Sequence, residues 1–368
     1  MKKKNIAIKV RLYPNKTQIK KINNNIGNVR YMYNELLARY NKIGKVVSYK
    51  EVYNNDNKWL LDSDTSSYAN VRIHLKSAIK NYYSNPSHYS EPTYKSKRDK
   101  KQSYTTSVTN NNSRVIDNKH IRIPKIGIIR ADIHRDTSIE YKLKSVTISR
   151  DIDDKYYASL LYEYYEEEDE NQAIPCFRIV VGIDYSMSEL GVLSNGETLE
   201  YPHFMKKNLD KLRELEQALS RCIPKSNNWR KRKNDISRLH VKIRNQREDY
   251  QNKKALEMAK KFDVIAIETL DLKDLSSHNH YGKSIGDNGY AKFISKVEYK
   301  LQQMNKNLIR VDKYYPSSKR CSCCGNIIKE LKISDRVYKC SCCCNEMDRD
   351  INAAMNIAVE GMKLLLAE

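Results

Sequence analysis

The sequence predicts a multidomain protein of mixed α/β and α+β class. The N-terminal half combines a long stretch of helical apolar spacing with short alternating strand patterns. In the C-terminal half, the continuous apolar runs RIVVGID and DVIAIETL alternate with helical patterns, which is typical of buried strands in an α/β sheet. With 368 residues, the chain is long enough for two or three domains with separate cores.

The N-terminal half begins with a strand pattern at Asn5–Leu12, which ends at the turn signal YPN. From Thr17 to about Ser84 the apolar spacing is helical, and one stripe consists of Ile22, Ile26, Val29, Tyr33, Leu36 and Leu37. After a basic segment rich in Pro, Ser and Tyr, pieces such as HIRIPKIGIIRADI predict the strands of a small barrel. The acidic run Glu166–Glu170 predicts a solvated linker.

The C-terminal half adds a hairpin signal to its two buried strands, because ELGVLSNGETLEY has Asn-Gly between two short strand patterns. A helical stripe ends at Pro224, and a second, longer helix is predicted from about Trp229 to Phe262. KVEYKLQQMNK predicts a helix, NLIRVDKYY a strand, and the last helix is predicted at Ile351–Leu366. Hairpin-linked strands followed by strands that alternate with helices indicate an α/β layout of the RNase H type.

The charge of the chain indicates a polyanionic partner. Lys and Arg together number 67 against 45 Asp and Glu, a formal net charge of +22. Nucleic acid is the favoured partner, and an anionic membrane is the alternative. The sequence has no apolar stretch near the roughly 20 residues of a membrane span, and MKKKNIAIKV lacks the apolar core of a signal peptide. We therefore expect a cytoplasmic protein.

Seven of the nine cysteines fall between residues 321 and 344, where they form a C-x2-C, 15-residue, C-x2-C array. This spacing predicts a structural zinc ribbon with four thiolate ligands, Cys321, Cys324, Cys340 and Cys343. The additional Cys323, Cys342 and Cys344 lie outside the matched spacing. A redox or disulfide role is the alternative interpretation.

Carboxylates at three separate places predict a second metal site. Asp184 ends RIVVGID and Glu268 lies near the end of DVIAIETL, and a carboxylate in a buried strand is costly unless something binds it. Asp348 and Asp350 open the last helix, where helix capping is the alternative role. If the strands and the helix converge, three carboxylates can hold Mg²⁺, or alternatively Mn²⁺, for phosphodiester cleavage.

Two basic segments are candidates for contact with nucleic acid. The first combines tyrosine with cations at Tyr94, Lys95, Lys97, Arg98, Lys100 and Lys101. The second is the long helix, with Arg230, Arg232, Arg238 and Lys242. Tyrosines can stack on unpaired bases while cations neutralise phosphates. The alternative is a face that only keeps the protein soluble.

Several motifs, in order, resemble the TnpB family, the OrfB proteins of bacterial insertion sequences and relatives of compact type V CRISPR effectors. They are KVRLYPNKTQ, YKSKRDKKQSYTTS, VGIDYSMSELGVLSNGE, VIAIETLDLKDLS, KYYPSSKRCSCCG and DRDINAAMNIA. The resemblance implies an RNA-guided endonuclease that binds guide RNA from its own locus. It also implies cleavage of matched double-stranded DNA beside a short target-adjacent motif, at a RuvC-type site formed by Asp184, Glu268 and Asp350.

The resemblance also implies a division of the chain. The expected parts are a wedge strand at 1–15, a helical recognition domain at 16–105, a wedge β-barrel at 106–165, an acidic linker at 166–172, and a RuvC-like (RNase H-like) nuclease domain at 173–368 with a zinc ribbon at 315–346 inserted.

The sequence departs from the common family pattern at three places. Tyr185-Ser186 stands where many relatives have Gly, Thr269 stands where an acid is common, and Cys344 stands where Gly is usual.

Two other functions are possible for a sequence of this kind. One alternative is a nuclease-inactive relative that represses transcription by occupying DNA. The retained acids favour the enzyme, since inactive relatives lose one or more of them. The other alternative is a DNA-strand-joining transposase, which the nuclease site makes unnecessary.

Overall fold

The computed structural model describes residues 2–53, 55–99, 102–135, 141–166, 179–271, 286–332 and 335–367. The chain divides into two compact units, Met1–Asn171 and Gln172–Glu368. Apart from Glu166, the predicted linker at 166–172 lies outside the described residues. Among the helices described, none combines the length and apolar character that a membrane span requires.

The first unit contains a seven-stranded antiparallel sheet and two long helices. Its strands are β1 (Lys2–Tyr13), β2 (Gln102–Ser107), β3 (Arg114–Asp117), β4 (His120–Ile123), β5 (Gly127–Asp132), β6 (Lys142–Arg150) and β7 (Tyr156–Glu166). Its α-helices are α1 (Lys16–Ile43) and α2 (Thr65–Ser84), with 3-10 turns at Tyr49–Val52 and Asn55–Asp62 between them. The strand order is β2-β6-β7-β1-β5-β4-β3.

One face of this sheet packs on α1 and α2. Alternate residues of β1 are buried, and all six residues of the predicted α1 stripe are buried with them. A capping box starts α1, because the Asn15 side chain accepts from the Gln18 N–H and the Gln18 side chain accepts from the Asn15 N–H. Gly44 ends the helix in the left-handed region, at φ 69°. The stretch of helical spacing predicted from Thr17 to about Ser84 thus contains two helices separated by 3-10 turns.

The sheet includes one strand from the range predicted for the helical recognition domain. β2 begins at Gln102 and pairs with β6 along its whole length. The edge strands of the ladder are β2 and β3, and no described residues join these two edges by a ladder. The predicted small barrel is therefore not confirmed by the strand pairing of the described residues.

The second unit contains a five-stranded sheet in the order β10-β9-β8-β11-β12, with helices on both faces. Its strands are β8 (Val180–Asp184), β9 (Gly191–Leu193), β10 (Thr198–Leu199), β11 (Val264–Glu268) and β12 (Asn307–Val311), followed by the small pair β13 (Val337–Lys339) and β14 (Glu346–Asp348). Its α-helices are α3 (Leu209–Ser220), α4 (Asn227–Lys261), α5 (Tyr290–Gln303) and α6 (Arg349–Ala367). β8, β11 and β12 are parallel, while β9 and β10 form the predicted hairpin.

Burial on both faces explains the continuous apolar runs of β8 and β11. Val181 and Ile183 of β8, with Ile265 and Ile267 of β11, pack in one core with α4 and α5. The opposite face receives α6, where Ala266 of β11 packs in a second core with residues of β12 and α6. A strand buried on both sides has no solvent-facing positions to alternate with, so its sequence is apolar throughout.

Candidate functional site

The three predicted acidic residues gather at one edge of the five-stranded sheet. Asp184 ends β8 and Glu268 ends β11, and the two strands are parallel, with Ile183 opposite Ile267. The carboxyl ends of parallel neighbours meet at one edge, which is where α/β sheets place their ligands. Asp350 lies in the first turn of α6, the helix that covers this sheet.

Two glycines allow α6 to lie directly on the sheet. A Cβ atom on Gly182 of β8 would lie 2.0 Å from the Ala354 carbonyl oxygen of α6. A Cβ atom on Gly361 would lie 2.4 Å from the Ala266 Cβ atom of β11. Neither position has room for a larger residue unless the helix shifts. This contact sets the height of α6 over β8 and thereby brings Asp350 beside Asp184.

The clustering of the acids changes their proton affinity. Burial, followed by the charges of Asp350 and Glu268, raises the pKa of Asp184 to about 7. Burial also raises the pKa of Glu268. The nearby Arg349 cation acts in the opposite direction on the pKa of Asp184. Buried carboxylates that repel one another favour a cation between them.

The two aspartates of the DRD motif have different partners. The Asp348 side chain accepts from the backbone N–H groups of Asp350 and Ile351, at 2.9 and 3.1 Å. Asp348 therefore caps α6, as the alternative interpretation predicted for this pair of acids. Asp350 instead accepts two bonds from the Arg349 guanidinium, at 3.1 and 3.0 Å, and Arg336 lies 3.7 Å from its other oxygen. The sequence reasoning missed both arginines, although Arg349 stands inside the DRD motif.

We expect Asp184→Asn to stabilise the protein at pH 8 in buffer without added divalent cations. The pKa of Asp184 is raised above its unfolded value, so ionisation of this group costs more in the folded state than in the unfolded state, and the penalty grows as the pH rises from about 4 to 7 and is constant above pH 7. The gain should be on the order of 4 kcal/mol at pH 8 and about half of that at pH 5.5. Thermal unfolding at both pH values measures it, with Asp210→Asn on exposed α3 as the control. An equal or lower melting temperature for Asp184→Asn at pH 8 would contradict the raised pKa.

A hydrogen-bond network holds the segment that follows Asp184. The buried Asn288 side chain donates to the Tyr185 hydroxyl at 3.3 Å and to the Glu189 carbonyl at 3.3 Å. Gln251 of α4 donates to the Asn288 carbonyl at 2.7 Å, and the rings of Tyr185 and Tyr290 lie 4.5 Å apart. Tyr185, a departure from the family pattern, is thus packed and bonded in place. Sequence reasoning missed Asn288 because its partners are distant in the chain.

The four predicted zinc ligands converge. Their sulfur atoms all lie within 4.8 Å of one another, and the pairs Cys321–Cys343 and Cys324–Cys340 are each 3.6 Å apart. Tetrahedral zinc with Zn–S bonds of about 2.3 Å requires sulfur separations of about 3.8 Å, so the cluster fits such a metal. In the described part of the chain, no other group of three or more His, Cys, Asp or Glu residues brings its ligand atoms within 4.8 Å of one another. The carboxylates of the acidic site lie further apart than these sulfurs.

Backbone amides favour the thiolate form in this cluster. N–H groups of Cys343 and Cys342 point at the Cys340 sulfur, at 3.5 and 3.4 Å, and these two contacts, that of Cys343 foremost, lower the pKa of the thiol to about 6. The thiolate is the form that binds metal. The three additional cysteines are exposed and lie outside the cluster. Cys344 adopts φ 57°, which matches Gly325 at φ 77° in the first knuckle and lies in the left-handed region that favours glycine.

The predicted nucleic-acid contacts that the structure describes are all exposed. In the long helix α4, these are the four predicted cations Arg230, Arg232, Arg238 and Lys242. In the first unit, Tyr94, Lys95, Lys97 and Arg98 are exposed, whereas Lys100 and Lys101 lie outside the described residues. The Lys95 ammonium also lies 3.9 Å from the centre of the Tyr33 ring, and its backbone bonds to the Asn34 side chain.

The fold and the site together define a class: a mixed α/β protein with an acidic sheet edge and a cysteine ribbon that fits a metal. The OrfB_IS605 model, described as "Probable transposase", matches residues 161–279. Its companion model, described as "Helix-turn-helix domain", matches residues 1–44, where the structure has β1 followed by the single helix α1. A model described as "Cas12f1-like, TNB domain" matches residues 290–357, which include all four clustered cysteines and Asp350. Two of the three matching models are OrfB models, so the chain is similar to the OrfB proteins of insertion sequences, also called the TnpB family, as its motifs predicted.

Curated relatives agree with this similarity, and a solved structure shares the fold. A protein of Streptomyces pristinaespiralis named "Putative RNA-guided DNA endonuclease" is 27% identical over 97% of this chain and 89% of its own length. "Putative RNA-guided DNA endonuclease InsQ" of Escherichia coli K12 is 27% identical over 98% of this chain and 93% of its own length. The protein chain in "Cryo-EM structure of the Cas12f1-sgRNA-target DNA complex" matches with a TM-score of 0.61 at 15% identity, over 97% of this chain and 99% of that chain. The last match shows a shared fold.

Proposed function

We propose that this protein is an RNA-guided DNA endonuclease of a transposable element, with a RuvC-type active site. It would bind a guide RNA from its own locus and cleave matched double-stranded DNA beside a short target-adjacent motif. The observation that carries the proposal is the meeting of Asp184, Glu268 and Asp350 at one sheet edge, with the pKa of Asp184 raised to about 7. Such a concentration of half-buried negative charge is suited to binding a cation and not to binding DNA directly.

Mg²⁺ is the cation that the proposed reaction needs, with Mn²⁺ as an alternative. Asp184, Glu268 and Asp350 supply only carboxylate oxygens, which are the ligands that hard divalent cations prefer. When bound, Mg²⁺ supplies positive charge for activating water and for stabilising the leaving 3′ oxygen. Arg349 and Arg336 contact Asp350 and offset part of the repulsion among the acids. The Asp348 cap fixes the start of α6 and so the direction of Asp350.

We assign Zn²⁺ a structural role at Cys321, Cys324, Cys340 and Cys343. The spacing of the four sulfurs fits tetrahedral zinc, and all four positions are filled by protein ligands. The second cysteine knuckle lies between the paired strands β13 and β14, and β14 leads directly into α6, which begins after Asp348. The ribbon would thereby hold the end of α6 that carries Asp350.

Guide RNA and target DNA are the proposed partners. Relatives of similar length are named as RNA-guided DNA endonucleases, and the structural neighbour was determined with guide RNA and target DNA. The net charge of +22 suits a protein that holds an RNA–DNA heteroduplex by its backbone. A protein that cuts chromosomal DNA would act in the cytoplasm of a bacterial-type cell, beside the nucleoid.

The resemblance to the TnpB family also suggests which segments of the chain form each domain. We propose that residues 1–15 and 106–165 form the wedge domain, that 16–105 form the recognition domain, and that 173–368 form the nuclease domain with the ribbon at 315–346. In the first unit, β1 is hydrogen-bonded between β7 and β5, so the first strand and the later strands belong to one sheet. This pairing supports a single wedge interrupted by a helical insertion.

Plasmid cleavage tests the proposed function. The protein is co-purified with RNA transcribed from its own locus and is incubated with Mg²⁺ and plasmids that carry a guide-matched site beside randomised bases. Cleavage that requires the matched site and Mg²⁺ is expected, and sequencing the depleted plasmids identifies the flanking motif. Binding of the matched site without cleavage would instead support a transcriptional repressor.

We expect charge reversal on α4 to weaken RNA retention. Changing Arg230, Arg232, Arg238 and Lys242 to Glu replaces four exposed cations with anions without touching a buried residue. Each phosphate contact that is lost should reduce the slope of log affinity against log salt by about 1. Filter binding of RNA transcribed from the protein's own locus, at roughly 50 to 300 mM salt, measures this slope. A variant with reversed charges at Lys211, Lys225, Lys292 and Lys363, exposed residues of the second unit outside α4, is the matched control. Equal loss in both variants would show that the loss comes from net charge and not from α4.

A further inference from the structure

Tyr314 is the most exposed large apolar or aromatic side chain among the described residues, with 85% of its surface accessible. A single exposed apolar residue is common on protein surfaces and needs no explanation by itself. Tyr314 differs in two respects. Hydrogen bonds hold its loop in place, and this loop leaves the sheet at the edge that carries the acidic site.

The loop at 312–317 is fixed at both ends. The Asp312 carboxylate accepts from the Tyr314 N–H at 2.7 Å, and the Tyr315 N–H donates to the Asp312 carbonyl at 3.1 Å. The Tyr315 hydroxyl donates to the Asn356 carbonyl of α6 at 3.4 Å, and the Asn356 side chain donates to the Ser317 carbonyl at 2.9 Å. The backbone around Tyr314 is therefore tied to α6, while its ring remains in solvent. A ligand that covers the ring would not have to order the loop.

The loop lies at the same sheet edge as the acidic site. β12 ends at Val311, which is paired with Glu268 at the end of β11. Thr269, the next residue after Glu268, bonds to the Val311 carbonyl through both its N–H and its hydroxyl, at 3.1 and 2.8 Å. Tyr314 is three residues beyond Val311, so its backbone lies within about 10 Å of this strand end.

The surroundings of the ring favour a nucleotide over a protein partner. Asp312 and Lys313 are exposed, so the ring is not part of a continuous apolar patch of the kind that proteins bind. The Lys313 ammonium lies 5.9 Å from the centre of the Tyr314 ring. An aromatic face beside a lysine can bind one nucleotide, with the base on the ring and the phosphate at the cation.

We propose that Tyr314 is a stacking platform for an unpaired nucleotide of the DNA strand that enters the acidic site, with Lys313 contacting its phosphate. This inference rests on the proposed nuclease function, because it takes DNA as the substrate of that site. The platform would hold the strand beside the carboxylates without contributing to the chemical step. Its loss should raise the KM for DNA and leave kcat nearly unchanged.

Fluorescence of 2-aminopurine tests stacking without any need for cleavage. A single-stranded deoxyoligonucleotide that contains this base and does not match the guide is titrated into the full-length, RNA-loaded protein carrying Asp184→Asn. We expect binding to quench the fluorescence, and we expect Tyr314→Ala to weaken binding on the order of tenfold and to abolish most of the quenching. Tyr314→Phe and Tyr314→Trp should keep both, and Lys313→Gln should lower the salt slope by about 1. Ile223→Ala, which removes another highly exposed apolar side chain of the second unit, is the matched control.

The outcomes separate this inference from the proposed function. If Tyr314→Ala binds and quenches like the Ile223→Ala control, the platform is overturned, whether or not the protein cleaves plasmids. If binding and quenching depend on an aromatic residue at 314, the platform is supported. Failure of unmodified protein to cleave a matched plasmid would count against the nuclease function alone, since the stacking measurement uses a cleavage-deficient background.

Discussion

We expect Asp184→Asn to lower the rate of guide-directed cleavage at least about 1000-fold, which corresponds to about 4 kcal/mol of lost transition-state stabilisation. The amide keeps the shape of the side chain but removes the charge that would hold the cation. Asp184 lies at the end of β8 among other acids and not on a basic surface. Affinity for the matched DNA should therefore remain within about threefold of the unmodified protein.

Single-turnover cleavage and gel-shift binding on the same DNA separate these two effects. Asp210→Asn, an exposed carboxylate of α3, is the matched control and should cleave at the normal rate. If Asp184→Asn lost target binding as well as cleavage, Asp184 would be part of the DNA surface. The division between a catalytic edge and separate nucleic-acid contacts would then be wrong.

We expect Cys340→Ser to lose bound zinc and most of the cleavage activity. The Cys340 sulfur lies in the four-sulfur cluster and accepts from two backbone amides, so serine removes a ligand that the knuckle is built to hold. Zinc contributes about 10–16 kcal/mol to the folding of comparable small sites, and this ribbon has little other core. Without the metal, β13 and β14 should no longer hold the start of α6, and Asp350 should be misplaced.

Neighbouring cysteines provide a close control for this change. Cys342→Ser alters an exposed thiol in the same knuckle that lies outside the cluster, so it should keep both zinc and activity. Zinc content by mass spectrometry and the cleavage rate should fall together in Cys340→Ser only. Zinc-free protein that cleaves at the normal rate would show that the ribbon does not position Asp350.

Local sequence patterns were sufficient to predict most of the secondary structure of the second unit. β8 and β11 are buried on both faces, so their apolar runs were readable, and the Asn-Gly turn marked the β9–β10 hairpin. The cysteine spacing identified four sulfurs that meet in space. The apolar runs also placed Asp184 and Glu268 at the ends of two strands, which the structure shows to be parallel, whereas the assignment of Asp350 to the same site came from the family resemblance.

Features that depend on contacts between distant residues were not readable. Residue spacing alone did not separate Asp348 from Asp350, and only the family resemblance singled out Asp350; the hydrogen bonds show that Asp348 caps α6 and that Arg349 contacts Asp350. The contact between the Lys95 ammonium and the Tyr33 ring was not predicted, because the two residues are far apart in the chain. The strand order of the first sheet was not predicted either, because alternation along a strand shows which residues share a face but not which strands pair.

A comparison of Asp350→Asn with Asp348→Asn tests most directly whether the three gathered carboxylates perform the cleavage. Both changes lie in one motif and remove one charge each, but only Asp350 acts on Asp184 by its charge, whereas Asp348 caps the helix. The rate of Mg²⁺-dependent cleavage of a guide-matched plasmid should fall at least about 1000-fold for Asp350→Asn and no more than about tenfold for Asp348→Asn. Normal cleavage by Asp350→Asn, or an equal loss in both variants, would contradict the assignment of the catalytic site.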